Sequence, residues 1–211
     1  MPSARRPAAP PAPTRQRILD AALDLFNREG SLGVTTHDVA AACGISPGNL
    51  YYHFRNREEI VRAIFEEAIA AHHDRERRKA DAGQALSGDD LEFLKEFNWR
   101  YRFFKRELPT LLQRDRALRD AFLAFQRDHL AGLEAAIGRA VERGELRALD
   151  AADRRRLAEL SWVTVIFWPS FVEIGGRCTR HDMDRGIDLV QWLFASHAAG
   201  PARSPGRGRR P

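Results

Sequence analysis

The chain has 211 residues and a formal net charge of +5, from 34 lysines and arginines against 29 acids, with two cysteines. That length holds one or two domains with a real core, and two thiols exclude a disulfide framework, which fits a reducing compartment. Six of the basic residues, Arg5, Arg6, Arg203, Arg207, Arg209 and Arg210, lie in acid-free tails at 1–13 and 199–211, so the basic balance is by itself a weak signal for nucleic acid.

No apolar stretch follows Arg5 and Arg6, so no signal peptide is expected. The longest apolar run, Trp162 to Val172, is too short to span a bilayer and is interrupted by Thr164, Pro169 and Ser170. A cytoplasmic protein with no membrane partner is expected. Residues 1–13 are rich in Pro and Ala and are expected to be a disordered tail, whose two arginines either have no role or touch a neighbouring groove. Strand signals are nearly absent, and apolar residues recur at helical spacing throughout, so the fold class is all-α.

The first helix runs from about Thr14 to Glu29, with Ile18, Ala21, Ala22, Leu25 and Phe26 as its apolar stripe and Gly30 as its stop. Thr35 followed by Asp38 is a capping pattern that starts a second helix near Thr36, which Gly44 ends. Ser46 is a natural N-cap with Pro47 at the first helical position, giving a short third helix to about Phe54 that buries Leu50 and Phe54. Asn56, with Glu59 three residues on, forms another box and opens a fourth helix.

Two short helices joined by a tight glycine-containing turn make a helix-turn-helix. The second presents Pro47, Gly48, Asn49, Tyr51, Tyr52 and His53, and Thr36 and His37 stand at the start of the first. Asn49 can bond base edges, Tyr51 and His53 can donate to phosphates, and Arg57 in the next helix is a further phosphate candidate. The bland alternative for this face is a solvated polar surface.

The segment Ile18 to Ile60 resembles the DNA-binding domain of the TetR family of bacterial transcriptional regulators. The matching pieces are Ile18 to Phe26 in the pattern IxxAAxxLF, Gly30, Thr35 to Ala40, Gly44-Ile45-Ser46, and Leu50 to Glu59 as LYYHFxNREE. Arg57 stands where the family usually has lysine, which changes the geometry available for phosphate. The resemblance implies an all-helical homodimer: a three-helix DNA-binding head at 14–60, then a larger helical domain at 61–199 that binds an effector and dimerises. It also implies a double-stranded operator as partner and a partly apolar small molecule as effector.

Further along, Ile60, Ile64, Phe65, Ala68 and Ile69 continue the fourth helix into the charged run His72 to Asp81. Adjacent His72 and His73 face different ways and have no third ligand near, so a solvated surface is expected there rather than a metal. Gln84 to Asp90 reads as a loop ending in a helix cap. A helix is expected from Leu91 to about Leu108, then a short segment from Pro109, then a long helix opened by Asp115 and closed at Gly144. Asp150 and Asp153 cap an almost wholly apolar helix, where Pro169 is expected to kink the path and free the Val165 carbonyl.

The last helix, about His181 to Ala199, carries Met183, Ile187, Val190 and Phe194, expected as the dimerisation stripe of an intersubunit bundle of the family's usual kind. Residues 200–211 are expected to be a disordered basic tail.

For the effector, the candidates are Trp99, Arg100, Phe103, Phe104, Phe122, Phe125, His129, Trp162, Ile166 and Phe171, with Glu173 as a further polar group; the same aromatics equally suit ordinary core. Cys178 and His181 have metal-like spacing but are only two ligands, so no metal or cofactor is expected. No catalytic constellation is apparent, and no enzyme activity is expected. The competing functions are an activator or a regulator without effector, a helical enzyme or carrier with a DNA-binding head, and a sequence-indifferent DNA binder.

Overall fold

The computed structural model describes residues 13–82 and 88–199. The expected tails at 1–13 (apart from Pro13) and 200–211 lie outside the described residues. So does 84–87 of the expected loop, whereas 88–90 already belong to a helix. Among the described residues there are nine α-helices: α1 (Thr14–Glu29), α2 (Thr36–Cys43), α3 (Pro47–His53), α4 (Arg57–Ala82), α5 (Gly88–Arg100), α6 (Arg102–Arg114), α7 (Arg116–Glu142), α8 (Ala151–Glu173) and α9 (Arg180–Ala195). They form two compact units, one up to His73 and one from Asp74 onward. None of the described helices is long and apolar enough to cross a membrane.

In the first unit, Ile18, Phe26, Val34, Val39, Leu50 and Ile60 are the innermost side chains. They are brought together because α1, α2, α3 and the first turns of α4 each turn one apolar stripe inward. The turns are fixed by their caps. Thr35 and Asp38 form a complete reciprocal box, and Gly44 ends α2 in the left-handed region at φ 66°. Arg17 then reaches from α1 to donate to the Cys43 carbonyl at 2.7 Å, placing a cation on the last orphan carbonyls of α2.

Asn56 caps α4 by accepting from the Glu59 N–H at 2.8 Å. The reciprocal half of that box is shifted, for Glu59 accepts from the Arg55 N–H at 2.8 Å. His72 corrects the expectation of a solvated surface: it is buried, because it extends the series Ile60, Ile64, Ala68 by another step of four, while His73 is exposed.

In the second unit the expected helix Leu91–Leu108 is two helices, broken at Tyr101, whose ψ is 26°. The break leaves the Trp99 carbonyl without its helical partner, and the Arg102 guanidinium donates to it at 2.7 Å while lying 3.9 Å above the Trp99 ring. Pro109 does not begin a segment but sits inside α6. Its missing N–H frees the Lys105 carbonyl, which accepts instead from the Ser170 hydroxyl at 3.4 Å. In α8 the carbonyl freed by Pro169 is that of Val165, as expected, and the Lys105 amine donates to it at 3.0 Å. Two proline-bearing helices thus satisfy each other's orphan groups.

α7 starts on Asp115, which accepts from the Leu118 N–H. α9 starts on Thr179, and its complete capping box with Asp182 went unnoticed in the sequence although Thr-x-x-Asp is the same signal as at Thr35. The contact between α8 and α9 is close at Gly186, where an added Cβ would stand 2.6 Å from Trp168 Cδ1. That ring is held by donation from Nε1 to the Asp182 carbonyl at 2.6 Å. Gly186→Ala is therefore expected to lose about 1–3 kcal/mol in urea unfolding. Gly132→Ala on α7, where an added Cβ meets nothing within 4 Å, should be neutral or slightly stabilising. Equal stability of the two variants would mean that the indole moves aside freely.

Candidate nucleic-acid interface

α3 is a rod of seven residues, about 10 Å long at 1.5 Å per residue, which fits a groove about 12 Å wide. Ser46 caps it by accepting from the Asn49 N–H at 3.2 Å, and Pro47 occupies the first turn. Leu50, with Phe54 at the C-cap, anchors it to the core. The remaining face is offered outward: Pro47, Gly48 and Asn49 are exposed, Tyr51 is 46 % and Tyr52 85 % exposed, and His53 is half-buried. So large an aromatic exposure on a capped, rigid helix is unexplained by packing within the chain.

The neighbouring groups complete this surface. Thr36 Oγ1 and the Tyr51 hydroxyl are 3.1 Å apart, and the His37 ring meets Tyr51 edge-on at 6.5 Å. These contacts fix the direction of Tyr51 while leaving it accessible. A Cβ at Gly48 would meet nothing nearer than Ser46 Oγ at 3.9 Å, so packing within the chain does not require glycine there, and the absence of a side chain leaves the helix backbone open to close approach.

Arg57 is more engaged than expected, donating to the Leu32 carbonyl at 3.1 Å and to Glu58 at 2.9 Å. It forms one wall of an open groove of about 260 Å³, bordered also by Thr36, Tyr51, Arg55 and Asn56. Arg55 was missed in the sequence, since a lone arginine in a turn carries no pattern; it is exposed beside the candidate phosphate contacts. The Thr35 hydroxyl and backbone N–H hold the Asp38 carboxyl below its ordinary pKa, so the cap stays ionised at neutral pH.

The effector candidates divide into two sets. Phe104, Phe122, Phe125, His129 and Trp162 come together from α6, α7 and α8, with successive rings 5.0 to 6.2 Å apart. Phe103 meets Phe104 edge-on at 6.1 Å, and Ile166 is buried one turn beyond Trp162. Three others lie elsewhere. Trp99 is beneath Arg102, Arg100 is exposed over the Tyr101 ring, and Phe171 is 64 % exposed and stacked at 5.3 Å on Trp168. Glu173 is paired with Arg106 at 3.7 Å.

The residues of the expected dimerisation stripe are unequally exposed. Met183 and Ile187 are buried in the protomer's own core, and Val190 and Phe194 are half-buried, because this face of α9 is turned inward. In the second unit the large exposed apolar side chains are Leu160, Val163, Phe167, Phe171 and Ile174 around α8, Leu189 and Trp192 on α9, and Leu123 on α7. The first five recur at steps of three and four, a single helical stripe. Among the described residues no group of three or more His, Cys, Asp and Glu side chains is placed to hold a metal ion.

Both parts of the chain are similar to known proteins. Residues 18–64 match the family model for bacterial regulatory proteins of the tetR family, and residues 55–205 match the TetR model described as a bacterial transcriptional repressor. The class D tetracycline repressor protein of Escherichia coli is 40 % identical over 60 residues, 28 % of each chain. The HTH-type transcriptional regulator UidR of Escherichia coli K12 is 42 % identical over 52 residues, 25 % of this chain and 26 % of that protein. These matches thus span under a third of the relatives' length. A crystal structure of a TetR-family transcriptional regulator from Marinobacter aquaeolei VT8 superposes with a TM-score of 0.73 at 29 % identity, covering 88 % of this chain and 91 % of the other.

Proposed function

The chain belongs to the TetR family of bacterial transcriptional regulators, and from that premise we propose that it is a homodimeric repressor released from a palindromic operator by a small-molecule effector. The observation that carries this reading is the outward face of α3, where Asn49, Tyr51 and Tyr52 stand exposed on a capped helix and Tyr51 is oriented by Thr36 and His37. α3 enters the major groove, Asn49 reads base edges, and Tyr51, His53, Arg55 and Arg57 contact phosphates. Thr36 and His37 flank the same groove. Residues 14–60 act as the DNA-binding head and 61–199 as the effector-binding and dimerisation part.

Two copies join through the exposed stripe of α8 with Leu189 and Trp192 of α9, giving the two-fold symmetry that a palindrome requires. The effector enters the aromatic interior of α6, α7 and α8, around Trp162. An effector that releases operator DNA must itself bind less tightly to the DNA-bound form.

The test is a screen of small molecules in which tryptophan fluorescence and operator release are followed together. An effector should change the fluorescence saturably and release DNA over the same concentration range, and Trp162→Phe should remove most of the signal. Release of DNA with the Trp162 signal unchanged would place the effector outside this interior.

A further inference from the structure

Lys105 is a buried charge with no counter-charge among the described residues. It is 6 % exposed on α6, and its amine makes one hydrogen bond, to the Val165 carbonyl that Pro169 leaves open. An ammonium has three N–H groups, so two are left without an acceptor among the described residues. The charged groups of the surrounding helices do not reach it. Arg106 and Glu107 share its own helix, Asp115 caps α7 and His129 stands on it, Glu173 is on α8 and Asp184 on α9, yet none pairs with Lys105. Glu173 is occupied by Arg106, and Asp115 caps α7.

Burial alone pushes the Lys105 ammonium down to about 7. A nonpolar side chain would fill the same place without this cost. A second unsatisfied group faces the same stretch of α8 from α5. Asn98 Oδ1 is buried without a hydrogen-bond partner and borders a narrow cleft lined by Val165, Trp168, Pro169 and Gly186. Lys105 is buried on α6 beside Phe104, and its partner Val165 is on α8 one turn from the buried Trp162, so the bond from the amine joins the same two helices that supply Phe104 and Trp162 to the aromatic interior assigned above to the effector.

We propose that Lys105 is the anchor of the effector site and that it selects a small carboxylate with an aromatic or apolar body. The carboxylate supplies the missing counter-charge and accepts the two spare N–H groups, while Lys105 keeps its bond to Val165. The body lies against Phe104, Phe122 and Trp162. This deepens the effector reading and rests on it.

Binding of this kind is coupled to a proton. Above pH 7 the free amine is largely neutral, and an anion captures it in the charged form, so affinity falls about tenfold for each pH unit above 7 and levels off below it. The probes are benzoate and salicylate, with benzamide and salicylamide as neutral controls, titrated calorimetrically into the full chain between pH 6 and 9. The acids should bind on the order of 100-fold more tightly than the amides. At pH 8, titrations in buffers of different ionisation enthalpy should report uptake of about one proton on the unaltered protein. Lys105→Met should lose the preference for acid over amide and the proton uptake together.

Failure of either acid to bind, amide affinity equal to acid affinity, or a Lys105→Met protein that binds the acids as the parent does would each overturn the proposal. Operator binding is followed in parallel to separate the two readings. Operator DNA released equally by acid and amide keeps the repressor and removes the anchor, whereas no specific operator binding removes the repressor and leaves the carboxylate titration as its own test.

Discussion

Glutamate at both Phe167 and Trp192 is expected to turn the proposed dimer into a monomer at micromolar concentration. Both side chains are exposed on the protomer, at 44 % and 69 %, and belong to the apolar stripe on α8 and α9. Burying an aromatic side chain of this size is worth about 1.5–3 kcal/mol. In a two-fold interface each substitution acts twice, so the double variant removes on the order of 6 kcal/mol or more and also buries unpaired charge. Because neither residue is in the protomer's core, the monomer should remain helical and cooperatively folded. Operator affinity should collapse, since each head then binds only one half-site and the advantage of linked binding is lost. A double variant that still sizes as a dimer would move the interface to another face.

The head of the molecule was legible in the sequence nearly residue by residue, and the reason is that its structure is local. Thr35, Gly44, Ser46, Pro47 and Asn56 each set a helix end through groups within four residues, so their roles can be read without knowing the tertiary fold. The second unit was less legible where distant residues decide. Nothing near Pro109 shows that a helix continues through it, because the compensating donor is Ser170, 61 positions away in the chain. The break at Tyr101 is supported by Arg102 folding back on Trp99, a choice that periodicity does not encode.

The faces of α8 and α9 were ambiguous for a different reason. Both helices carry apolar residues on more than one side, and spacing alone does not say which side a protomer covers and which it leaves open. Met183 and Ile187 satisfy the same pattern as Leu189 and Trp192, yet close packing at Gly186 and Trp168 draws the former pair inward. His72 was read by its charge-rich surroundings when its spacing from Ala68 was the better guide. The aromatic cluster around Trp162 was half found, since helical spacing groups residues on one helix but does not show which rings from α6 and α7 meet it.

The reading face itself gives the sharpest expectation. Asn49→Ala and Tyr51→Ala should each cost about 1–3 kcal/mol of operator affinity per half-site, with little change in folding stability because both side chains are exposed. The direct measurement is a footprint of the dimer on DNA flanking its own coding region, with a random duplex as competitor at fixed salt. The account predicts two symmetric protected half-sites one helical turn or a multiple apart, affinity at least about 10³ times that for random DNA, and loss of the protection in the Asn49→Ala, Tyr51→Ala double variant. Uniform protection without sequence preference, or a footprint that survives the double variant unchanged, would contradict it.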